Sequence, residues 1–392
     1  MIQVVNERLF HVLPLLLILR LLSAIGAACD DVDAAASLPP VEIEVFSSST
    51  KEDWINEVTD SFNAAEIKTA SGRPILVTVY QVNSGGSLED ILAGEIQPTI
   101  WSPGDMSWMD KGNQRWQEKT GHPLGPDHCP ATVYVPTGFA MWRPMAEALG
   151  WPETPIRWRD ILDLASDTSG WARYGHPEWG QLKLGFTDPA TSNSGMLIMN
   201  SLVYATLGQT KTPTLEQVRS DRVLEAFREL SLSTVETDEQ SARLLELMVT
   251  QGLAQLHAIN TNEAETLKSN ARYGKLLPFS LVFVFPADGT VWADHPFCIL
   301  DADWVTEEQR EAAALFTTYV LEPEQQALAV DRGLRPANLS VELGGPFTLE
   351  NGTDPDVTPL QVPALASPTS VVEEAIQELF VQTVSGIYSE RD

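Results

Sequence analysis

Positive charge is scarce in this sequence. Its 392 residues include 25 Lys and Arg against 54 Asp and Glu, which gives a formal net charge of −29 at pH 7. A protein that binds nucleic acid presents a basic face, so this balance excludes a nucleic-acid partner. The acidic excess itself says little about a ligand, because a solvated acidic surface is its simplest explanation.

Catalytic motifs are also missing. The chain has six His, and it contains no Gly-x-Ser-x-Gly, His-Glu-x-x-His, Cys-x-x-Cys or P-loop spacing. These are the spacings that mark common hydrolases, metalloenzymes, redox proteins and nucleotide-binding enzymes. We therefore predict a protein that is not an enzyme and that carries no cofactor.

Long apolar runs are confined to the N-terminus. Residues 13–22 are almost wholly apolar, small residues follow as far as Cys29, and no later segment approaches ~18 consecutive apolar residues. This pattern predicts a signal peptide over residues 1–28, with an uncleaved membrane anchor as the alternative. In either case the body of the chain is exported.

Cys29 has a second implication. Gly26-Ala27-Ala28-Cys29 resembles the lipobox of bacterial lipoproteins, although Gly26 stands where that motif usually has Leu. The resemblance implies that Cys29 carries a lipid anchor to the membrane. Residues 29–40 are polar, rich in Ala and end in two Pro, so they predict a tether between the anchor and the folded body.

The body begins with the pattern of an α/β protein. Residues 41–46 alternate as a strand does, the hydroxyl residues 47–50 follow, and Trp54 begins the apolar face of a helix. Ser49 and Glu52 have the spacing of a capping box, which predicts where that helix starts. A second strand at residues 74–79 completes a βαβ unit and predicts a parallel sheet.

The same order recurs later in the chain. Residues 181–186 predict a strand, residues 187–193 a polar loop, and residues 194–207 a helix that ends at Gly208. Capping-box spacing at Thr306 and Gln309 predicts another helix start. Residues 341–370 predict a loop, and residues 371–387 a last amphipathic helix.

Several short motifs follow one another in a characteristic order along residues 41–340. Besides the strand, SSST and helix of the opening, they are PTIWSP at 98–103, WRDIL at 158–162, LGFTDP at 184–189, SNSG at 192–195, FPADGT at 285–290 and GLRPAN at 333–338. Their order resembles the bacterial extracellular solute-binding proteins of the type II periplasmic binding fold, near the molybdate-type branch.

The resemblance implies a two-lobed α/β fold in which the chain crosses between the lobes twice, near residues 131–140 and 294–300. Lobe I would hold residues 41–130 and 297–345, lobe II would hold residues 131–296, and residues 346–392 would form a linker and C-terminal helix. A small solute would bind in the cleft between the lobes, which close by hinge motion. The implied partner is the membrane permease of an ABC transporter. A ligand-binding module of an extracellular sensor is the alternative.

The candidate ligand-binding residues all belong to polar segments that this resemblance places at the cleft. They are Ser47, Ser48, Ser49, Ser84, Gly85, Trp101, Ser102, Thr187, Ser192, Asn193, Ser194, Asn260 and Glu263. Hydroxyls and free amides at helix starts suit an anionic or hydroxyl-rich solute.

These assignments have structural alternatives. Capping would need only Ser49 of its serine run, Ser84 and Gly85 suit an ordinary turn, and a Trp such as Trp101 is more often packed in a core. Glu263 favours a cationic or hydroxylated ligand over a phosphate-like one, so the ligand class stays open.

The two remaining cysteines lie at the implied crossings. Cys129 precedes the first and Cys298 is within the second, and the family's crossing strands run side by side, so we expect a disulfide between them. A zinc-like site with the neighbouring His128 and His295 is a rival, and two free thiols are another. We predict the disulfide and no metal.

Overall fold

The computed structural model describes residues 38–385. The predicted signal peptide, the predicted lipidation at Cys29, most of the predicted tether and the predicted helix end at Ile387 lie outside the described residues. Within the described part of the chain, no helix has both the length and the apolar character needed to cross a bilayer.

Strands and helices alternate along the chain. The strands are β1 (Val41–Ser48), β2 (Ile75–Val82), β3 (Ile100–Ser102), β4 (Val133–Trp142), β5 (Leu184–Thr187), β6 (Thr234–Asp238), β7 (Ala258–Asn262), β8 (Leu281–Val284), β9 (Trp292–Ala293), β10 (Cys298–Ile299) and β11 (Arg335–Pro336). The helices are α1 (Glu52–Ala64), α2 (Ser84–Ala93), α3 (Met106–Thr120), α4 (Arg143–Ala148), α5 (Trp158–Ser166), α6 (Asn193–Leu207), α7 (Leu215–Val218), α8 (Asp221–Ser233), α9 (Ser241–Gln251), α10 (Glu263–Tyr273), α11 (Glu307–Val320), α12 (Pro323–Asp331) and α13 (Ser370–Phe380).

The first sheet has the strand order β10-β3-β1-β2. Strand β1 pairs in parallel with β2 and β3, and β10 pairs antiparallel with β3. Trp54, Ile55 and Phe62 of α1 are fully buried against this sheet, so the predicted βαβ unit is confirmed. We use lobe I for this sheet and the helices that pack on it.

The start of α1 differs from the expectation. A 3-10 turn at Ser49–Lys51 precedes the helix, and neither Ser48 nor Lys51 makes a side-chain cap. The capping box expected from Ser49 and Glu52 is therefore wrong. By contrast, Thr306 and Gln309 do form the capping box predicted for α11.

The second sheet has the order β11-β4-β7-β5-β6, and β8 and β9 also pair with β4. Strand β5 is parallel to β6 and β7, whereas β4 is antiparallel to its partners. Helix α6 packs in the core beside this sheet and ends at Gly208, whose φ of 68° is the left-handed conformation predicted there. We use lobe II for this sheet and its helices.

Two segments run side by side between the lobes. Val135 pairs with Ala293 and Pro136 with Trp292, both antiparallel. Next to them, Cys129 and Cys298 form a disulfide with their Cα atoms 5.1 Å apart, so the predicted bridge is confirmed. Because each sulfur is bonded to the other, neither is a free thiolate for the rival zinc site.

The chain passes between the lobes a third time, which the sequence did not indicate. Strand β11 pairs with β4, and the chain then continues over lobe II as far as α13. Val372, Ile376 and Phe380 of α13 are buried in the lobe II core. The C-terminal helix is thus part of lobe II rather than an appendage.

Candidate functional site

A cavity of about 350 Å³ lies where the carboxyl ends of strands from both lobes meet. Ser48 and Asn83, at the ends of β1 and β2, line it from lobe I. Ser192, Glu239 and Asn262, at or just after the ends of β5, β6 and β7, line it from lobe II. Ligands of open α/β sheets collect at this edge, so the cavity is the candidate binding site.

Helix starts from both lobes converge on this cavity. The 3-10 turn before α1, together with the starts of α2, α6 and α9, contributes lining residues. The Asn83 side chain accepts a hydrogen bond from the Gly86 amide, and the Ser192 side chain accepts one from Gly195. Apart from the capped Gly86 and Gly195, the amides of the first residues of these helices have no intrahelical partner, so they are available to a ligand that accepts hydrogen bonds.

The lining carries hydrogen-bond donors without positive side chains. Among the described residues that line the cavity, none is Lys, Arg or His, whereas Glu239 and Glu265 are acidic. Burial raises the pKa of Glu265, which shifts this carboxyl towards its neutral form. Positive potential must therefore come from the helix N-termini.

Six of the candidate residues line this cavity. They are Ser48, Ser49, Ser84, Ser192, Asn193 and Ser194. Gly85 lines a second cavity, next to the first. All of them lie where a strand gives way to a helix, at the end of the strand, in the connection or in the first turn of the helix, which is the feature that singled them out in the sequence.

The other candidates are not among the residues that line the cavity. Trp101 is fully buried and its Nε1 donates to Ser87 Oγ at 3.0 Å, which makes it a core residue. Asn260 is also fully buried. Its Nδ2 donates to Thr187 Oγ1 at 2.9 Å and its Oδ1 accepts from the Thr187 amide at 2.7 Å, so its side-chain amide already has partners within the chain. The same correction applies to the fully buried Ser47 and Ser102.

The structure also corrects the expectation for Glu263. Its carboxylate is 1% exposed and accepts hydrogen bonds from Arg335 Nε at 2.6 Å and Nη2 at 2.9 Å, and from the Thr353 hydroxyl. A carboxylate bound in this way is not directed at a ligand. Glu263 therefore gives no reason to prefer a cationic or hydroxylated ligand over a phosphate-like one. The acidic groups at the cavity are instead Glu239 and Glu265.

One part of the lining was missed by sequence reasoning. Gln240 and Ser241 at the start of α9 line the cavity, although they were not proposed. The signal was present, since a polar run at 238–241 lies between a strand and a helix, as in the loops that were recognised.

The lobes touch at the edge of the cavity. Trp108 Nε1 of α3 donates to Asn193 Oδ1 of α6 at 2.8 Å. Further along α3, Lys111 Nζ lies 3.2 Å from Glu373 Oε2 of α13. These contacts join elements of lobe I to elements of lobe II, which is the arrangement expected of a closed cleft.

A buried cluster of ionisable groups lies beside the crossing segments. Lys51 Nζ donates to Ser102 Oγ at 2.8 Å and lies 3.5 Å from His295 Nδ1. Burial lowers the pKa of Lys51 to about 7 and raises the pKa of Asp294 to about 7. Burial therefore favours the neutral form of each group, as expected where charge is removed from water.

With the geometry established, sequence comparison identifies the family. The model of the family described as bacterial extracellular solute-binding protein matches residues 43–335. The chain belongs to this family of binding proteins. An uncharacterized protein of Mycobacterium tuberculosis is 21% identical over 356 residues, covering 87% of this chain and 47% of the relative. The chain thus spans about half the length of the curated relatives it matches.

Solved structures share the fold. A periplasmic thiamin binding protein has a TM-score of 0.58 at 12% identity, covering 88% of this chain and 96% of that one. The protein AfuA of Actinobacillus pleuropneumoniae, with exogenous fructose-6-phosphate bound, has a TM-score of 0.56 at 14% identity and coverage of 88% and 98%. The sulfate-binding protein SubI of Mycobacterium tuberculosis has a TM-score of 0.52 at 14% identity and coverage of 76% and 88%. The predicted two-lobed α/β fold is confirmed.

Proposed function

We propose that this protein captures a small anionic or hydroxyl-rich solute by closing its two lobes outside the cytoplasm, and that it delivers the solute to the membrane permease of an ABC transporter. The observation that carries the proposal is the convergence of helix starts from both lobes on one cavity, whose lining, as far as the structure describes it, includes no basic residue. Such a site supplies donors from backbone amides and hydroxyls. It would hold the solute from both sides only when the lobes are together.

The fold is compatible with this ligand class but does not select it. The solved structures with TM-scores above 0.5 include one described as sulfate-binding and one with fructose-6-phosphate bound, and also a thiamin binding protein and one whose description names a spermidine/putrescine ABC transporter. The choice of an anionic or hydroxyl-rich solute therefore rests on the lining of the cavity. The acidic Glu239 and Glu265 favour a solute that also carries hydroxyls over a bare dianion, because carboxylates repel negative charge and accept hydrogen bonds from hydroxyls.

The proposal includes a membrane tether. Cleavage before Cys29 and lipidation of its sulfur would hold the protein at the outer face of the membrane, close to the permease. Mass spectrometry of the mature protein would then find an acylated N-terminal Cys29. An unmodified N-terminus at another residue would contradict the anchor and leave the binding proposal unaffected.

Thermal unfolding provides the test of binding. We expect one class among oxyanions, sugar phosphates, sugars, amino acids and short peptides to raise the unfolding temperature by a few degrees. A ligand at about 100 times its dissociation constant stabilises the native state by about 2.7 kcal/mol. If no compound in such a screen produces a shift, solute binding at this site is contradicted.

A matched pair of variants locates the effect. Ser194→Trp places a large side chain in the cavity and should abolish the shift, because the solute and the indole ring compete for the same space. Thr168→Trp introduces the same side chain at an exposed position away from the cavity and should retain the shift. A full shift in Ser194→Trp would show that the solute binds elsewhere.

A further inference from the structure

A second cavity, of about 550 Å³, adjoins the first. Asn83, Thr191 and Glu239 line both cavities, so the two are neighbours along one groove between the lobes. Lobe I lines the second cavity through α2 and α3, including Trp108. A solute that fits only the first cavity would leave this larger space to water.

Helix α13 forms the far wall of the second cavity. Ser370, Glu374 and Gln377 of this helix line it. Ser370 Oγ donates to Gln114 Oε1 of α3 at 2.8 Å, and Lys111 Nζ of α3 lies 3.2 Å from Glu373 Oε2. The wall is therefore joined to α3 by two side-chain contacts.

This wall lies beyond the part of the chain that matches the family. The match ends at residue 335, whereas the wall begins at Ser370. Because Ser370, Glu374 and Gln377 line the groove, α13 is positioned to limit which solutes fit there.

The charges around the second cavity define its chemistry. Its two cations are engaged, since Arg115 Nη2 donates to Glu89 Oε2 at 2.9 Å and Lys111 pairs with Glu373. Glu239 and Glu374 line the cavity and form no ion pair within the described residues. The free groups are thus carboxylates, which accept hydrogen bonds and favour hydroxyl or ammonium donors.

We propose that the two cavities form one elongated site. Its solute has an acceptor-rich, anionic end at the converging helix starts and a hydroxyl- or ammonium-bearing portion between Trp108, Glu239 and Glu374. Helix α13 limits the length of the solute. This inference rests on the proposed function, because it extends the same ligand site.

Calorimetric titration of the mature protein with compact and elongated probes tests the inference. Inorganic phosphate and sulfate are the compact probes, and glucose 6-phosphate and glucosamine 6-phosphate are the elongated ones. We expect at least one elongated probe to bind at least tenfold more tightly than either compact probe. Glu374→Trp, which fills the second cavity from an exposed helix position, should weaken that elongated probe at least tenfold and leave compact-probe affinity unchanged.

Glu378→Trp is the matched control, because Glu378 is exposed on the same helix and does not line the cavity. If a compact probe binds and neither sugar phosphate binds more tightly, the second cavity is not a subsite and the proposed function stands. Equal losses for compact and elongated probes in Glu374→Trp would assign α13 to lobe closure and overturn the inference. Failure of all four probes to bind would overturn the inference, whereas the proposed function would be contradicted only if the wider thermal screen also produced no shift.

Discussion

Replacement of Cys129 and Cys298 together by serine is expected to lower the free energy of unfolding by about 5 kcal/mol. The bridge joins residues 169 positions apart in the sequence, and the chain-entropy cost of closing a loop grows with its length. Without the bridge the unfolded chain gains that freedom, while the folded crossing segments keep their strand pairs.

Urea unfolding of the wild type and the variant measures this loss. Each single variant, Cys129→Ser or Cys298→Ser, should unfold at nearly the same urea concentration as the double variant, because breaking either end opens the same loop. A reducing agent should bring the wild type to that level and leave the double variant unchanged. A loss below about 1 kcal/mol would mean that the bridge does not constrain the unfolded chain.

Arg335→Met is expected to lower the free energy of unfolding by about 3–5 kcal/mol. The substitution removes the two guanidinium hydrogen bonds of Glu263 and leaves its buried carboxylate with the Thr353 hydroxyl. The guanidinium carbon also lies 5.5 Å from the centre of the Trp292 ring and 5.4 Å from that of Phe347, so cation–π contacts are lost as well.

Two further variants separate the buried pair from a general effect of losing an arginine. Arg332→Met breaks an exposed pair with Glu57, at 2.8 Å, and should cost less than about 1 kcal/mol. Adding Glu263→Gln to Arg335→Met removes the unpaired charge and should recover part of the loss. If the double variant is as unstable as Arg335→Met alone, the cost does not arise from the uncompensated carboxylate of Glu263.

The parts of the fold that were predicted correctly depend on local patterns. The alternation of residues 41–46, the apolar face that begins at Trp54 and the capping box at Thr306 each involve neighbours in the sequence. The third passage of the chain depends on the pairing of β11 with β4, about 200 positions apart, for which no local pattern exists. The disulfide was predicted only because a family resemblance supplied the spatial relation of its cysteines.

The same distinction between local patterns and distant partners separates the candidate residues that line the cavity from those that do not. Residues at the start of a helix that follows a strand, such as Ser84 and Ser194, line the cavity because strand ends converge at one edge of a sheet. The strand residues Trp101 and Asn260 are instead buried in the core, where their side chains donate hydrogen bonds to Ser87 and Thr187. Glu263 pairs with an arginine 72 positions away, and no local rule indicates that pairing.

The burial of α13 in lobe II bears on the order in which the protein can mature. Residues 139–284 supply most of that lobe's core, yet Val372, Ile376 and Phe380 are synthesised about 90 positions later. Lobe I has its own core, formed almost entirely by residues 41–135 and 297–334, which emerge earlier. Lobe II therefore completes its core only after α13 has been synthesised, and until then an apolar groove stays open that chaperones or proteases can engage.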